Sequence, residues 1–157
     1  MFRRKKNRTV SIEMNDFLIR GLVFKDDELA TATVYEYPLP SGVVVDEIVL
    51  DELVFYNLLK TLVKNWNISR HDLRFFVPDH AVMMRAFDHP KELSTTELKG
   101  YVEMELGRTI HLPFENPLLD VYDHTEGDGK AVIYASSSEE VNKLIQLYQD
   151  IHLNPSV

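Results

Sequence analysis

The sequence predicts an α+β fold, and three observations carry that reading. Residues 9 to 37 hold three β-rich apolar runs in succession. Residues 51 to 67 carry one apolar stripe at helical spacing, and from residue 82 the order runs strand, helix, strand, strand, helix. At 157 residues, 45% hydrophobic and 27% charged, the chain has enough material for one domain or two small lobes sharing an interface.

The opening runs are Thr9 to Met14 and Phe17 to Phe24, joined by Asn15-Asp16. Two β-rich segments separated by two residues that tolerate positive φ predict a tight hairpin. Gly21 falls inside the second strand, where a close backbone approach or a bulge is its expected role. Lys25-Asp26-Asp27-Glu28 reads as a polar turn, and Leu29 through Tyr37 as a third strand completing a meander, ended by the prolines of Pro38-Leu39-Pro40-Ser41-Gly42. Over 51 to 67, Phe55, Leu58, Leu59, Leu62, Val63 and Trp66 form the helical stripe, with Asp51 as N-cap and Trp66 in the core. Leu73 through Val77, stopped by Pro78, is a fourth strand, most simply added parallel to an earlier one.

The second half repeats the alternation on a smaller scale. Val82 through Phe87 is a strand closed by His89-Pro90, and Ser94-Thr95-Thr96-Glu97 is a capping box that starts a helix over about 95 to 108. Its Leu98, Tyr101, Val102, Glu105 and Leu106 form one apolar face bordered by a single acid. Leu118 through Tyr122 and Ala131 through Tyr134 are two strands joined by a hairpin loop at His124-Thr125-Glu126-Gly127-Asp128-Gly129. Ser137 and Glu140 offer a second capping box, and Val141, Leu144, Ile145, Tyr148 and Ile151 mark a last helical face.

Charge is unevenly placed. Five of the seventeen bases, Arg3, Arg4, Lys5, Lys6 and Arg8, fall in the first eight residues, leaving twelve against all twenty-five acids in the rest. So acidic a body repels nucleic acid, and any nucleic-acid role would rest on the tail alone. The tail reads as a solvated terminus or as a contact for a partner or anionic lipid, where each base near the surface is worth ~1 kcal/mol. No apolar run approaches the ~20 residues needed to span a bilayer, and no apolar stretch follows the N-terminal charges as in a signal peptide, so a cytoplasmic location with at most peripheral membrane contact is expected. The absence of cysteine excludes disulfides, thiolate zinc sites and cysteine nucleophiles.

Motifs of catalysis are missing. The sequence contains no dinucleotide-binding glycine pattern, no phosphate-binding lysine loop, no His-Glu-x-x-His and no Gly-x-Ser-x-Gly. Its six histidines, at 71, 80, 89, 111, 124 and 152, never stand three or four apart on a predicted helix, so no metal site is expected. The acid pairs Asp46-Glu47 and Asp51-Glu52, like Asp26-Asp27-Glu28, lie beside turns and helix starts and read as solvated caps. No catalytic residue and no enzymatic activity are expected.

Several segments in order carry a resemblance. Tyr37-Pro38-Leu39-Pro40-Ser41-Gly42, an acidic stretch and long helix, Phe76-Val77-Pro78, Arg85 followed by His89-Pro90, a helix holding Glu103 and Glu105, Leu112-Pro113-Phe114, Leu119-Asp120, Tyr134-Ala135-Ser136 and Leu153-Asn154-Pro155 together resemble the N-terminal part of PilM. PilM is the actin-like cytoplasmic component of type IV pilus assembly, similar in fold to FtsA. The resemblance implies an actin-like (ribonuclease H-like) first lobe over 9 to 78 after a basic tail of residues 1 to 8. An inserted strand-helix-strand-strand subdomain with its return helix would cover 79 to 153, and 154 to 157 would be a truncated re-entry into the first lobe. The chain is thus expected to be part of a longer one.

In that family the first hairpin holds nucleotide phosphates on a turn of glycine and hydroxylated residues. The matching positions here are Glu13, Met14, Asn15, Asp16, Phe17 and Leu18, and Glu13, Asn15 and Asp16 mark a degenerate phosphate loop. Side chains obstruct the close approach of backbone N–H groups to phosphate, and Asp16 adds like charge. No cofactor is expected, with ATP entering only if a longer chain completes the site. The resemblance implies a scaffold or adaptor of type IV pilus, competence or related secretion assembly at the inner face of the membrane. Its partner would be the cytoplasmic tail of a PilN-like membrane protein, held in a groove between lobe and insert, and self-association is a further implication. The alternative reading is a fragment of a nucleotide-dependent actin-like ATPase whose remaining lobe is missing.

Overall fold

A computed structural model describes residues 8–24, 29–123 and 127–155. Within them the chain forms two compact units, Met1–Pro78 with Lys143–Val157, and Asp79–Asn142. The predicted turn at residues 25–28 and the loop at His124, Thr125 and Glu126 lie outside the described residues, as do Arg3, Arg4, Lys5 and Lys6.

The first unit is built on a five-stranded sheet. Strands β1 (Thr9–Met14), β2 (Leu18–Phe24) and β3 (Thr33–Pro38) form an antiparallel meander. Helix α1 (Glu52–Asn65) then leads to β6 (Asp72–Phe75), which lies parallel to β1 with Thr9 opposite Asp72. Between β3 and α1 stands a two-residue hairpin, β4 (Val44–Val45) and β5 (Ile48–Val49). A last strand, β10 (Asn154–Pro155), adds parallel to β6, so the sheet order is β10-β6-β1-β2-β3.

Local chemistry accounts for most boundaries. The Asp51 carboxylate accepts the Val54 N–H at 3.0 Å, capping α1 as its sequence predicts. At the other end Asn67 takes φ 55°, the left-handed stop, while the Ile68 N–H bonds the Val63 carbonyl at 3.1 Å. Phe55, Leu59, Leu62 and Val63 bury the predicted stripe against Val10, Ile12, Ile19 and Leu73 of the sheet, and Tyr148, Ile151 and Leu153 join the same core. Each such fully buried side chain contributes about 1.5–3 kcal/mol relative to exposure.

Trp66 is the keystone of that packing. Its ring lies over Gly21, where a Cβ would stand 2.8 Å from Trp66 Cζ3, and it stacks on Tyr35 at 5.3 Å between centroids. Ile12, Gly21 and Tyr35 are cross-strand partners, so the missing side chain leaves a slot in the sheet that the indole fills.

Three expectations in this unit are corrected. Met14 pairs with Ile19, so the first connection has four residues, 15–18, rather than the two of Asn15-Asp16, and neither of those residues has positive φ. The segment from Leu29 begins as a 3-10 turn (Leu29–Thr31), and strand pairing starts only at Thr33. Asp46 and Glu47, expected as solvated caps, are the two turn residues of the β4–β5 hairpin, with φ 51° and 61°. Positive φ at both positions is the type I′ geometry whose twist suits a two-residue hairpin.

The second unit is a three-stranded antiparallel sheet with one helix. Strands β7 (Val82–Asp88) and β8 (Pro117–Tyr122) flank β9 (Lys130–Ser137), and α2 (Thr95–Glu105) covers one face. Val102 and Ile110 pack there on Ile133 and Ala135, joined by Phe87, Leu119 and Val121. The capping box is formed, with the Ser94 N–H and Oγ–H both donating to Glu97 Oε2 at 2.9 and 2.6 Å. Helix α2 ends at 105 rather than 108. The Glu105 carbonyl accepts from the N–H groups of Arg108, Thr109 and Ile110, and Gly107 at φ 77° turns the chain out of the helix. Strand β9 runs four residues longer than the predicted Ala131 to Tyr134, and α3 (Ser138–Asp150) follows it directly, taking the chain back into the first unit.

Gly21→Ala is expected to destabilise the chain by about 1–3 kcal/mol, because the new methyl overlaps the indole. Urea unfolding followed by far-ultraviolet circular dichroism measures it, and Trp66→Phe in the same chain should recover part of the loss through coupling.

Candidate functional site

The bend at residues 15–18 is filled by its own groups. The Asn15 N–H bonds the Leu18 carbonyl at 3.0 Å, Asn15 Oδ1 accepts the Phe17 N–H at 2.9 Å, and the Phe17 carbonyl accepts the Leu39 N–H at 2.8 Å. The Asp16 carboxylate leaves the bend altogether and accepts the N–H groups of Glu47 and Asp46 at 2.9 and 3.0 Å. Those bonds, from Glu47 first and Asp46 second, hold its carboxyl below the usual carboxylate value of 3.8. Two successive N–H groups converging on one point make an anion seat. Here an internal carboxylate occupies it.

The other residues singled out by sequence are not gathered at this bend. Glu13 sits on the opposite face of the sheet from the core, beside Arg20 at 3.9 Å, and Arg20 Nε donates to Glu36 Oε1 at 2.8 Å. The three are cross-strand neighbours on β1, β2 and β3, and the Glu36 contact followed by its charge raises the Arg20 pKa. Arg8 lies at the far end of β1 from the bend, exposed, its carbonyl accepting the Asp72 N–H at 3.0 Å. Among the described residues no group of three His, Asp or Glu could hold a metal ion.

A surface that sequence reasoning missed lies in the second unit. Strand register sets three cross-strand rows on the face away from α2: Val82, Ser136 and Leu118; Met84, Tyr134 and Asp120; Ala86, Val132 and Tyr122. Met84 is 67% exposed and Tyr122 56%, so this sheet face is open to solvent although it is mostly apolar. Ser136 is buried, and its Oγ has no hydrogen-bond partner. A buried hydroxyl without a partner costs on the order of 1–3 kcal/mol. The signal was present in β7, where apolar residues stand at both parities, Met83 and Phe87 inward, Val82, Met84 and Ala86 outward. Chemically the face suits an extended or helical peptide with apolar side chains.

Comparison with known proteins agrees on the fold. A family model described as type IV pilus assembly protein PilM matches residues 18–157. No curated protein matches the chain. Among solved structures, the chain is similar to the PilM-PilN type IV pilus biogenesis complex, with a TM-score of 0.68 and 18% identity over 95% of this chain and 46% of that one. It is also similar to the cytoplasmic domain of EpsL, an inner membrane component of the type II secretion system of Vibrio cholerae, with a TM-score of 0.60 and 8% identity over 95% of this chain and 55% of that one. The chain therefore spans about half the length of the structures it matches.

The Asp16 latch has a pH signature. A carboxylate whose folded pKa is depressed adds stability that is fully present above the unfolded value of about 3.9 and is lost as pH falls through the folded value. Asp16→Asn should therefore lower the melting temperature near neutral pH and flatten its decline below about pH 4. Thermal melts across that range check it, and an acid limb identical in the two proteins would show that the latch contributes nothing.

Proposed function

The chain belongs to the PilM family of type IV pilus assembly proteins, and on that premise we propose that it acts as a cytoplasmic scaffold that holds the tail of a PilN-like membrane protein and does not itself bind or hydrolyse nucleotide. The observation that carries the docking half is the open apolar face of the β7-β9-β8 sheet, with Met84 and Tyr122 exposed on it. A soluble domain rarely leaves a contiguous apolar sheet face uncovered unless something else covers it. Peptide recognition matches this chemistry, since an amphipathic segment lays its apolar face on apolar side chains such as these. The relation to a structure described as a PilM-PilN complex supports the choice of partner.

The nucleotide half rests on the bend. Phosphate capture needs N–H groups that are free and approachable, and the Asp46 and Glu47 pair already hold Asp16. A triphosphate there would have to displace a carboxylate and then sit beside it, against like charge. Scaffolding asks only for surfaces of the kind the β7-β9-β8 sheet offers.

Isothermal titration of the chain with a synthetic PilN-like cytoplasmic tail peptide should give saturable heat, and Met84→Asp or Tyr122→Asp should weaken it about tenfold or more, some 1.4 kcal/mol. Flat heats would count against the docking half. In a separate thermal-shift series Mg·ATP should leave the melting temperature unchanged, since a ligand that binds only the folded state raises it.

A further inference from the structure

The first unit holds a cavity of about 280 Å³ at the end of its sheet remote from the 15–18 bend, and among the residues lining it are Arg8, Thr33, Tyr35, Trp66, Asn67 and His71. That is room for about nine waters at ~30 Å³ each. Strand register explains how its two basic groups meet. Thr9 pairs with Asp72, and the Arg8 carbonyl accepts the Asp72 N–H at 3.0 Å, so Arg8 and His71 stand side by side one residue before the paired strands. Neighbouring strands lie about 4.8 Å apart, and a side chain shares its face with the residue two positions on. Val10 and Leu73 are both in the core, which places Arg8 and His71 on that same face, beyond its last buried row. Asp72 alternates to the other face, and among the described residues no carboxylate lines the cavity. The turn that ends α1 contributes Asn67 and Trp66, whose indole stacks on Tyr35 at 5.3 Å between centroids. His71 is only 9% exposed, and its Nδ1 lies 3.3 Å from the Ser69 carbonyl. A carbonyl only accepts, so Nδ1 carries the hydrogen of that contact. Its Nε2 has no partner among the described residues, and neither has the Arg8 guanidinium.

We infer that this cavity binds a small aromatic carboxylate. Two basic groups turned onto one face, with no internal anion to hold, specify a negative ligand. A guanidinium offers two parallel N–H donors that match a carboxylate in bidentate fashion, which a rounded anion uses less well. Nε2 of His71 is the one ring nitrogen left to a ligand, and as N–H it donates to the second carboxylate oxygen. Trp66 and Tyr35 supply an apolar wall against which a single ring packs, and Thr33 and Asn67, both exposed, add polar contacts at the rim. The volume lies just below the range for drug-sized ligands, so one ring with a short acid arm fits and a nucleotide does not. Inorganic phosphate would satisfy the two bases but leave the aromatic wall without a partner.

Trp66 is the only tryptophan of the chain and forms part of the wall, so its emission reports occupancy directly. Phenylacetate, titrated into the full chain, should change that emission saturably, half-maximal at about 1 mM or below, and should raise the melting temperature. Acetate lacks the ring and phenylacetamide lacks the charge, and each should bind about tenfold more weakly or worse. Arg8→Gln and His71→Gln should each weaken phenylacetate about tenfold or more while keeping the wild-type far-ultraviolet circular dichroism. Arg8 is exposed and meets the sheet through its carbonyl, so Arg8→Gln keeps the fold and carries the test even where His71→Gln does not. An emission unchanged by phenylacetate, phenylacetamide or inorganic phosphate binding as tightly as phenylacetate, or an affinity indifferent to Arg8→Gln would each overturn the inference. The PilN-like peptide titration concerns the sheet of the second unit, and its outcome leaves this one untouched.

Discussion

Two backbone N–H groups that point the same way will hold an anion, and in this chain the anion is Asp16. The turn it holds is awkward by itself: Asp46 and Glu47 both adopt a left-handed conformation that glycine and asparagine take more readily. By accepting both N–H groups, Asp16 stabilises that turn, fixes the short β4–β5 hairpin against the bend of β1 and β2, and fills the seat with negative charge. One carboxylate thereby ties a local backbone strain, the placement of an exposed apolar stretch and the chemistry of the bend into a single contact.

The second unit shows the same economy in different terms. Its helix covers only one face of a three-stranded sheet, and strict period-two alternation sends Met84, Tyr134 and Tyr122 to the other. A sheet of this size with one face left uncovered by its own helix is marginal alone.

Much of this was legible in the sequence wherever a residue type acts through its own backbone. Asp51 capping α1, Ser94 with Glu97 starting α2, the parallel placement of β6 and the close approach at Gly21 all follow from short-range rules. The misses share a different cause. The β4–β5 hairpin has Asp-Glu where the usual signal is Asn-Gly, because its stabilising partner lies thirty residues away. Helix α2 stops early through bonds that converge on the Glu105 carbonyl from the following loop, and spacing alone does not reveal them. Likewise, which parity of β7 faced the helix depended on register with β9, a long-range fact.

Strand β10 carries a consequence for how the chain is made. It completes the five-stranded sheet by pairing Asn154 with Asp72, so the first unit closes across an interval that contains the whole of the second. As the polypeptide emerges from the ribosome, Asp79–Asn142 has every one of its strands and its helix while the first unit still lacks an edge and the aromatic and aliphatic groups of Tyr148, Ile151 and Leu153. The inserted unit, with short-range contacts, is thus complete first, and the sheet that begins the sequence is the last to be sealed.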